Sequence, residues 1–351
     1  MSDLRSPTDA IRAHLAEWDV PYVELDCFGS ADPSVIAEMV DRFCRSHLAS
    51  PVRGYLFCTA SQGSTHGVEL VSGERVVLKT HPQLGSYACR PDSATAMRSV
   101  QRAMQHLRAK GFGCPEPVLG PTPLGRGLAT VERHLDAGAR GNGFDADCRM
   151  TMAEGLHEVI RELTPLRQDL PGLRRFFPSA PHLYPPPHSK LFDFPATEKG
   201  AGWIDQVARR ARERAGAPSG LVIGHGDWRV EHLRFVAHRI TSSYDWDSLM
   251  PAPEIHLVAA AAATHTADWS EPRARNLPTE VEIDAFIDAY GMARGDAFDR
   301  AERRAARAFA AYVIAYCARC QHAAHPNRER DDWPDDSWIG LLHLSGEALL
   351  A

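Results

Sequence analysis

The spacing of apolar residues changes in the middle of this sequence, and no other feature constrains the fold as strongly. Residues 55–60, 68–71 and 75–80 are short apolar or aromatic segments separated by turns, which is the pattern of an antiparallel β-meander. Beyond residue 136 most segments have the 3.6-residue apolar period of helices. A chain of 351 residues is also longer than one hydrophobic core usually serves. The sequence therefore predicts an α+β protein with two lobes.

The boundary between these lobes is predicted in a flexible, glycine-rich linker at residues 136–143. The smaller lobe, residues 1–134, contains the antiparallel sheet, and the larger lobe, residues 135–351, is mainly helical. A Pro- and aromatic-rich insertion at residues 176–194 interrupts the helices, and loops of this length often bind a ligand or act as lids. The predicted helices are residues 9–17, 33–47, 94–110, 146–163, 200–215, 253–265, 280–290, 296–324 and 337–350.

The charge and the cysteine content exclude several classes of protein. A net charge of -6 argues against nucleic acid as the partner, because phosphate backbones are bound by clustered Lys and Arg side chains. No apolar run approaches the roughly 20 residues that span a bilayer, and the first residues have no hydrophobic signal-peptide core. The eight cysteines are mostly scattered, which is typical of reduced thiols in the cytosol. We therefore expect a cytoplasmic protein that binds neither nucleic acid nor membrane, and the oligomeric state stays open.

One cluster near the end of the chain has the residue types of a zinc site, namely Cys317, Cys320, His322 and His325. Its segment reads as one Ala-rich helix, in which cysteines three residues apart share a face as small apolar side chains. The second pair of candidate ligands also lacks the separation that is usual in zinc sites. We therefore interpret this cluster as part of a helix.

Two turns with carboxylates carry most of the information about function. A His-Gly-Asp turn ending at Asp227 follows the apolar residues 221–223, and an Asp-Trp-Asp turn from Asp245 to Asp247 follows a second strand-like segment at residues 240–244. Carboxylates that converge repel one another and resist desolvation, so their convergence indicates a bound cation or proton chemistry. Each aspartate taken alone could instead be a turn cap.

These turns resemble the catalytic loop of the aminoglycoside phosphotransferase and choline kinase superfamily, which consists of protein-kinase-like small-molecule kinases. Members carry His-Gly-Asp-x-x-x-x-Asn, followed about twenty residues later by Asp-x-Asp or Asp-x-Glu, and the spacing of Asp227 and Asp245 matches this pattern. The resemblance extends over residues 54–257 and includes Lys79 and a glycine-rich loop at residues 63–67. It implies a two-lobed protein-kinase-like fold, with a small sheet-containing N-lobe that binds nucleotide and a larger helical C-lobe that carries catalysis and binds the substrate.

The resemblance also implies that the chain is an enzyme, a kinase that moves the γ-phosphoryl group of ATP or GTP to a small-molecule hydroxyl. Such transfer depends on positioning and charge neutralisation. Asp227 would be the catalytic residue that orients the acceptor hydroxyl and takes its proton. Asp245 would bind Mg²⁺ through its hard oxygen atoms, with Asp247 as a second metal ligand or a local cap. His225 would be a hydrogen-bonded strut of the loop.

For the nucleotide, the resemblance implies a phosphate-binding lysine, a glycine-rich loop and a hinge strand whose backbone would hold the base. The implied nucleotide-binding residues are Gly63, Ser64, Thr65, Gly67, Lys79, Glu132 and His134. In the family, the lysine pairs with a Glu of the following helix, but residues 94–110 contain neither Glu nor Asp. We expect Lys79 to pair either with another carboxylate, for which Glu69 on the neighbouring strand is a candidate, or with phosphate alone.

A second departure concerns the metal, because His232 stands where the family has the Asn that binds a second cation. Imidazole is a poor ligand for Mg²⁺ and a better one for Mn²⁺ or Zn²⁺. We expect either a single magnesium, a preference for Mn²⁺, or an intervening water. The two departures keep open a catalytically impaired pseudokinase that only binds ligands. A metal-dependent hydrolase, with His225, Asp227, His232 and Asp245 as ligands, is the other alternative.

The sequence does not decide which acceptor is phosphorylated. It could be an antibiotic of the aminoglycoside or nucleoside type, or a metabolite such as an amino alcohol or a sugar. A cationic acceptor would need an acidic face, for which the candidates are Glu254, Asp268, Glu271 and Asp284. A planar or partly apolar acceptor would instead use aromatic side chains. The aromatic candidates are Phe176, Phe177, Tyr184, Phe192, Phe194, Trp228, Trp246 and Trp269.

Overall fold

A computed structural model describes residues 4–17, 21–82, 94–175, 182–216, 218, 220–270 and 273–351. The chain divides into two units. The first contains Met1–Asp136 and Leu170–Gly172, and the second contains Ala137–Asp169 and Leu173–Ala351. In the described part of the chain no helix is both long enough and apolar enough to cross a membrane.

The first unit is built on a sheet of five strands in the order β1-β2-β3-β5-β4, in which every neighbouring pair is antiparallel. The strands are β1 Val52–Ala60, β2 Ser64–Leu70, β3 Arg75–Pro82, β4 Pro117–Leu124 and β5 Gly127–Arg133. The prediction of an antiparallel sheet in this part of the chain is confirmed. β4, which the sequence did not predict, is an edge strand, and this is where prolines are tolerated because one side makes no ladder hydrogen bonds.

Four helices belong to this unit: α1 Pro7–Glu17, α2 Tyr22–Phe28, α3 Pro33–Leu48 and α4 Ala94–Ala109. α3 begins as predicted behind Asp32, whose carboxylate accepts hydrogen bonds from the amides of Ser34 and Val35. Apolar residues of α1, α2 and α3 form one buried core with one face of the sheet. This core face includes Val68, Leu70, Val76, Leu78, Ala129 and Val131.

The opposite face of the sheet carries the polar residues that matter for the site. Side chains alternate along a strand, and residues that pair across strands share a face. Thr65 pairs with Lys79, and Lys79 pairs with Thr130, so these three side chains lie on the face away from the core. Glu132 follows Thr130 by two residues and lies on that same face.

The second unit is mainly helical, as predicted. Its helices are α5 Ala146–Leu163, α6 Gly202–Ala215, α7 Glu254–Thr264, α8 Glu280–Arg294, α9 Arg300–Ala324 and α10 Trp338–Leu350. α9 is central and packs against α6, α7 and α10. Alanine is frequent in α7 and α9, and its small side chain lets neighbouring helices approach closely. The prediction of an α+β protein with a smaller sheet-containing part and a larger, mainly helical part is confirmed.

Two pairs of short antiparallel strands carry the turns that contain Asp227 and Asp245. β6 Val222–His225 pairs with β9 Leu249–Ala252, and β7 Leu233–Val236 pairs with β8 Arg239–Ser243. The ladder partner of β6 is therefore the strand that follows the Asp-Trp-Asp turn.

A buried arginine anchors the described part of the aromatic insertion, residues 182–194, and the residues that follow it to 199. Arg319 on α9 is 2% exposed, and its guanidinium donates to the carbonyls of Phe194 at 2.5 Å and Thr197 at 3.0 Å. The same guanidinium lies 4.6 Å from the centre of the Phe194 ring and 3.9 Å from Asp205. Tyr184 also contacts Asp205, to which its hydroxyl donates a hydrogen bond at 3.0 Å. This part of the chain is therefore packed against helices of the second unit.

We expect Arg319→Met to lower the free energy of unfolding by about 3–5 kcal/mol, the cost of removing one partner from a buried ion-pair network. Two carbonyls would lose a hydrogen-bond donor, and the Asp205 carboxylate would lose an ion-pair partner. Methionine can replace only the apolar part of the arginine side chain. Urea denaturation measures the change. Arg210→Met is the matched control, because the partner of Arg210, Glu347, is 67% exposed and the loss should stay under about 1 kcal/mol. Equal losses in the two variants would contradict the anchoring role of Arg319.

Candidate active site

His225 fixes the turn that carries the first predicted carboxylate. β6 ends at His225, which is 1% exposed. The amide of Asp227 donates to its Nδ1 at 3.2 Å, so the ring proton lies on Nε2, which donates to the carbonyl of Tyr244 at 3.0 Å. Burial lowers the pKa of His225 to about 4, so the neutral ring that this pattern needs is the form present at neutral pH. His225 therefore connects the two turns as a strut.

Gly226 and Ser248 bring the same two turns into close contact. The amide of Gly226 donates to the carbonyl of Ser248 at 2.9 Å. A Cβ atom at Gly226 would collide with the end of the Met250 side chain, so a larger residue there would have to displace that side chain. The hydroxyl of Ser248 donates to Oδ2 of Asp245 at 2.8 Å, and its amide donates to the Asp245 carbonyl at 2.9 Å. The position of one aspartate is thus fixed relative to the other.

Asp245 has a left-handed backbone conformation, with φ at 58°. This conformation is uncommon for residues other than glycine, and aspartate and asparagine tolerate it better than most. Strained conformations of this kind persist only where the surrounding structure enforces them, and they are frequent at functional sites. The Ser248 contacts supply that constraint.

Asp227, His232 and Asp245 are brought together in the second unit. Each offers one ligand atom, and these three atoms lie within 4.8 Å of one another. Two carboxylates and one imidazole fit a divalent cation, and the imidazole favours Mn²⁺ or Zn²⁺ over Mg²⁺. Among the described residues this is the group of His, Cys, Asp and Glu that could hold a metal ion. Asp247, which is 5% exposed, is not part of it.

Arg229, which is 22% exposed and which the sequence interpretation overlooked, controls the charge of Asp227. Arg229 Nη2 lies 3.5 Å from Oδ2 of Asp227 and 3.1 Å from Glu231, and its Nε donates to Nε2 of His232 at 3.0 Å. Burial alone would raise the pKa of Asp227, but the Arg229 guanidinium holds it well below its usual range. Asp227 is therefore ionised at neutral pH. The sequence does contain a signal for this ion pair, because Arg229 follows Asp227 by only two residues.

In the first unit, Lys79 is paired with a carboxylate on a different strand from the one expected. Its Nζ lies 3.3 Å from Oε1 of Glu132 on β5, and each of the two side chains is 12% exposed. The expected partner was wrong, because Glu69 forms ion pairs with Arg53 and Arg75 at 2.9 Å each. Glu69 pairs in the ladder with Arg75, four residues before Lys79, which at the rise of a strand is about 13 Å away.

The two glycines of the predicted nucleotide loop have packing roles in the first unit. The turn between β1 and β2 is short, and Gly63 lies at its end while Gly67 lies inside β2. A Cβ atom at Gly63 would lie 2.5 Å from the carbonyl of Thr80, and one at Gly67 would collide with the ring of Phe57. Both glycines therefore allow neighbouring groups to approach the strand closely.

The other two residues of that loop lie on opposite faces of β2. Ser64 is fully buried on the core face, where its Oγ lies 2.9 Å from Nε2 of His66. Thr65 is half-buried on the other face, directly opposite Lys79 in the ladder. Of the two side chains, that of Thr65 shares a face with the lysine.

The last candidate of the hinge strand, His134, comes directly after β5. Its amide donates to the carbonyl of Arg75 at 3.0 Å, so this donor is already engaged within the unit. Its ring lies 6.2 Å from that of Phe57. A backbone contact to a base at this residue would therefore use its carbonyl rather than its amide.

The carboxylates expected to receive a cationic acceptor are largely neutralised by arginines. Glu271 lies outside the described residues, and the other three candidates form ion pairs within the second unit. These pairs are Arg140–Asp268 at 3.2 Å, Arg273–Asp268 at 2.7 Å, Arg294–Glu254 at 3.6 Å and Arg303–Asp284 at 3.7 Å. Asp268 is also 1% exposed. The three carboxylates therefore do not form an open acidic face, contrary to the expectation for an aminoglycoside acceptor.

Of the six described aromatic candidates, five are buried or half-buried. Trp228 and Trp246 are each 1% exposed, and the indole of Trp228 donates to the carbonyl of Met152 at 2.8 Å. The ring of Tyr184 stacks on that of Tyr312 at 6.2 Å. Trp269 is the exception at 49% exposed. Phe176 and Phe177 lie outside the described residues.

The ligand set proposed for a metal-dependent hydrolase is incomplete. His225 uses both ring nitrogens in hydrogen bonds to the backbone, so neither is available to a metal. The zinc-like cluster does not assemble either, because Cys320 and its neighbours form no metal-binding group within the described ranges. His322 instead has its Nε2 3.0 Å from the carbonyl of Lys199. These observations favour the kinase interpretation of the carboxylate turns.

Comparison with known proteins agrees with this interpretation. A family model described as "Phosphotransferase enzyme family" matches residues 60–309. No curated protein matches the sequence.

Solved structures show the same fold at low sequence identity. An amicoumacin kinase in complex with AMP-PNP and Ca²⁺ has a TM-score of 0.59 and 9% identity, covering 84% of this chain and 87% of that one. The macrolide 2'-phosphotransferase of Brachybacterium faecium has a TM-score of 0.52 and 11% identity, covering 84% and 99%. The choline kinase of Cryptosporidium parvum Iowa II has a TM-score of 0.53 and 12% identity, covering 89% and 94%.

Proposed function

The chain belongs to the phosphotransferase enzyme family, and from this premise we propose that it transfers the γ-phosphoryl group of ATP or GTP to a hydroxyl group of a small molecule. The observation that supports this most directly is the group formed by Asp227, His232 and Asp245, whose ligand atoms lie within 4.8 Å of one another. A divalent cation bound there would neutralise the charge of the transferring phosphates. The first unit would bind the nucleotide, and the second would hold the acceptor and carry out the transfer.

The roles proposed for the individual residues follow from their chemistry. Ionised Asp227 orients the acceptor hydroxyl and takes its proton as the new oxygen–phosphorus bond forms. The bond between the γ-phosphorus and the β–γ bridging oxygen breaks, and the nucleoside diphosphate leaves with that bond's electron pair. Asp245 and His232 would hold the cation. Lys79 would neutralise the α- and β-phosphates.

The remaining nucleotide contacts are proposed on the exposed face and ends of the first unit's sheet. Thr65 lies beside Lys79 there, and the turn at Gly63 would cover the phosphates. Ser64 and Gly67 would shape that turn from within β2, and the stretch from Glu132 to His134 would hold the base through its backbone. A reaction that consumes a nucleoside triphosphate also fits the cytoplasmic location that we propose.

The acceptor that we propose is an antibiotic or a metabolite with a free hydroxyl group and little net positive charge. The named relatives of this fold include kinases for amicoumacin, macrolides and choline, which is why both classes are kept. The arginine-paired state of Asp268, Glu254 and Asp284 argues against strong binding of a polycation. An antibiotic acceptor would make the chain a resistance enzyme.

The proposed function is tested first by nucleotide binding and then by transfer. Thermal shift with ATP and GTP, each with Mg²⁺ and with Mn²⁺, should raise the melting temperature for at least one combination. Transfer of labelled γ-phosphate is then measured on a panel of macrolides, aminoglycosides, nucleoside antibiotics, choline and sugars. Binding without transfer to any acceptor would favour the pseudokinase, and no nucleotide binding would overturn the proposal.

We expect His232→Asn to change the metal preference of the reaction. If the imidazole is a ligand, its replacement by an amide oxygen favours Mg²⁺, and the ratio of kcat/KM with Mg²⁺ to that with Mn²⁺ should rise by about tenfold or more. The measurement is a metal titration of transfer at saturating nucleotide. The same ratio in the variant and the unaltered protein would show that His232 does not bind the cation.

A further inference from the structure

Resting on the proposed function, we propose that Glu132 is a positioning residue, which holds the Lys79 ammonium in place for the nucleotide phosphates. The phosphate-binding lysine and the residue that positions it would then both lie on strands of the first unit's sheet. The juxtaposition that supports this is the ion pair between Nζ of Lys79 on β3 and Oε1 of Glu132 on β5, at 3.3 Å.

The ladder between β3 and β5 fixes the geometry of this pair. Glu132 is paired with Val77, two residues before Lys79, so the two charged side chains are diagonal neighbours on one face of the sheet. Diagonal neighbours are within reach of long side chains. Their separation is set by backbone hydrogen bonds between the strands, so the position of the carboxylate does not depend on a helix.

The helix that follows β3 offers no alternative carboxylate. The sequence of α4 contains no Asp or Glu, and its last turn carries His106 and Arg108. Glu69, which shares the face of the sheet with Lys79, is engaged by two arginines at the far end of the strands. The carboxylate partner of Lys79 therefore comes from a strand of the sheet rather than from a helix.

Because both side chains of the pair are largely buried, the charge of Glu132 strongly affects the position of the Lys79 ammonium. Each side chain is only 12% exposed, so the ammonium has lost much of its hydration and relies on the carboxylate to offset its charge. A lysine side chain also has considerable rotamer freedom, which a fixed partner restricts. Without Glu132, Lys79 would spend less time in the orientation that contacts phosphate.

The test is Glu132→Gln, which keeps the shape of the side chain and removes its charge. We expect kcat/KM for the nucleotide to fall by about 10- to 100-fold, mainly through a higher KM, with KM for the acceptor unchanged. Glu132→Asp should restore part of the loss. Glu116→Gln is the matched control, because Glu116 is 48% exposed and pairs with Arg133 rather than with the lysine. Urea denaturation of each variant checks that it is folded.

A double-mutant cycle with Lys79→Met shows whether Glu132 acts through the lysine. If it does, adding Glu132→Gln to Lys79→Met should cause little further loss of nucleotide affinity, measured by binding of a fluorescent nucleotide. Full additivity, or normal nucleotide KM in Glu132→Gln, would overturn the inference. Absence of nucleotide binding in the unaltered protein would instead overturn the proposed function, so the two failures are distinguishable.

Discussion

Replacing Asp227 with asparagine is expected to lower kcat for phosphoryl transfer by about 10²- to 10⁴-fold, which is the contribution typical of a positioned acid–base group. The Asp227 carboxylate is 34% exposed and can therefore receive an acceptor. Arg229 keeps it ionised, so it can accept the hydrogen bond of the hydroxyl and then its proton, whereas the asparagine amide can do only the first. The loss should fall on kcat more than on KM for the nucleotide, because Asp227 acts on the acceptor.

The design of this experiment depends on Arg229. The guanidinium retains Glu231 at 3.1 Å when Asp227 loses its charge, so the loop should stay folded in the variant. Asp331→Asn is the control for a general effect of charge, because Asp331 is 89% exposed. Steady-state transfer from γ-labelled nucleotide gives kcat for all three proteins. Asp227→Asn with an unchanged kcat would remove Asp227 from the reaction.

The fold was predicted well where local signals were strong. α5 begins and ends as predicted, and the Asp32 cap marks the start of α3. β4 was missed because its prolines are typical of loops, and only its place at the sheet edge makes them acceptable. β9 was missed because four apolar residues cannot be assigned without knowing that β6 lies beside them.

The enzyme class could be predicted because its signature lies in short, contiguous turns. The prediction of a phosphotransferase is confirmed by the family match over residues 60–309. The pairing of Lys79 with Glu132 could not be predicted, because it depends on the register of two strands that are distant in sequence. The arginine pairing of Asp268 likewise requires Arg140, 128 residues earlier, to be near it.

Asp245→Asn is expected to abolish metal-dependent nucleotide binding and to lower kcat by about 10³-fold or more, because an amide is a far weaker ligand for a hard cation than a carboxylate. Asparagine is the informative replacement at this residue. It tolerates the left-handed conformation, whose φ is 58°, nearly as well as aspartate does. Its amide oxygen can still accept the hydrogen bond from Ser248. The variant therefore removes charge with little change of shape, whereas Asp245→Ala would also add backbone strain.

Isothermal titration with Mn²⁺, in the presence and absence of ADP, separates the metal contribution from the reaction itself. Ser248→Ala is the matched variant, since it removes one hydrogen bond to Asp245 and leaves the carboxylate charge in place. It should weaken Mn²⁺ binding by less than Asp245→Asn does, because a fixed orientation contributes less than the charge that it orients. If Asp245→Asn bound Mn²⁺ and ADP as tightly as the unaltered protein, the cation would not be held by Asp245 and His232. The carboxylates would then be structural caps of their turns, and the phosphates would have to be neutralised by lysine and arginine side chains alone.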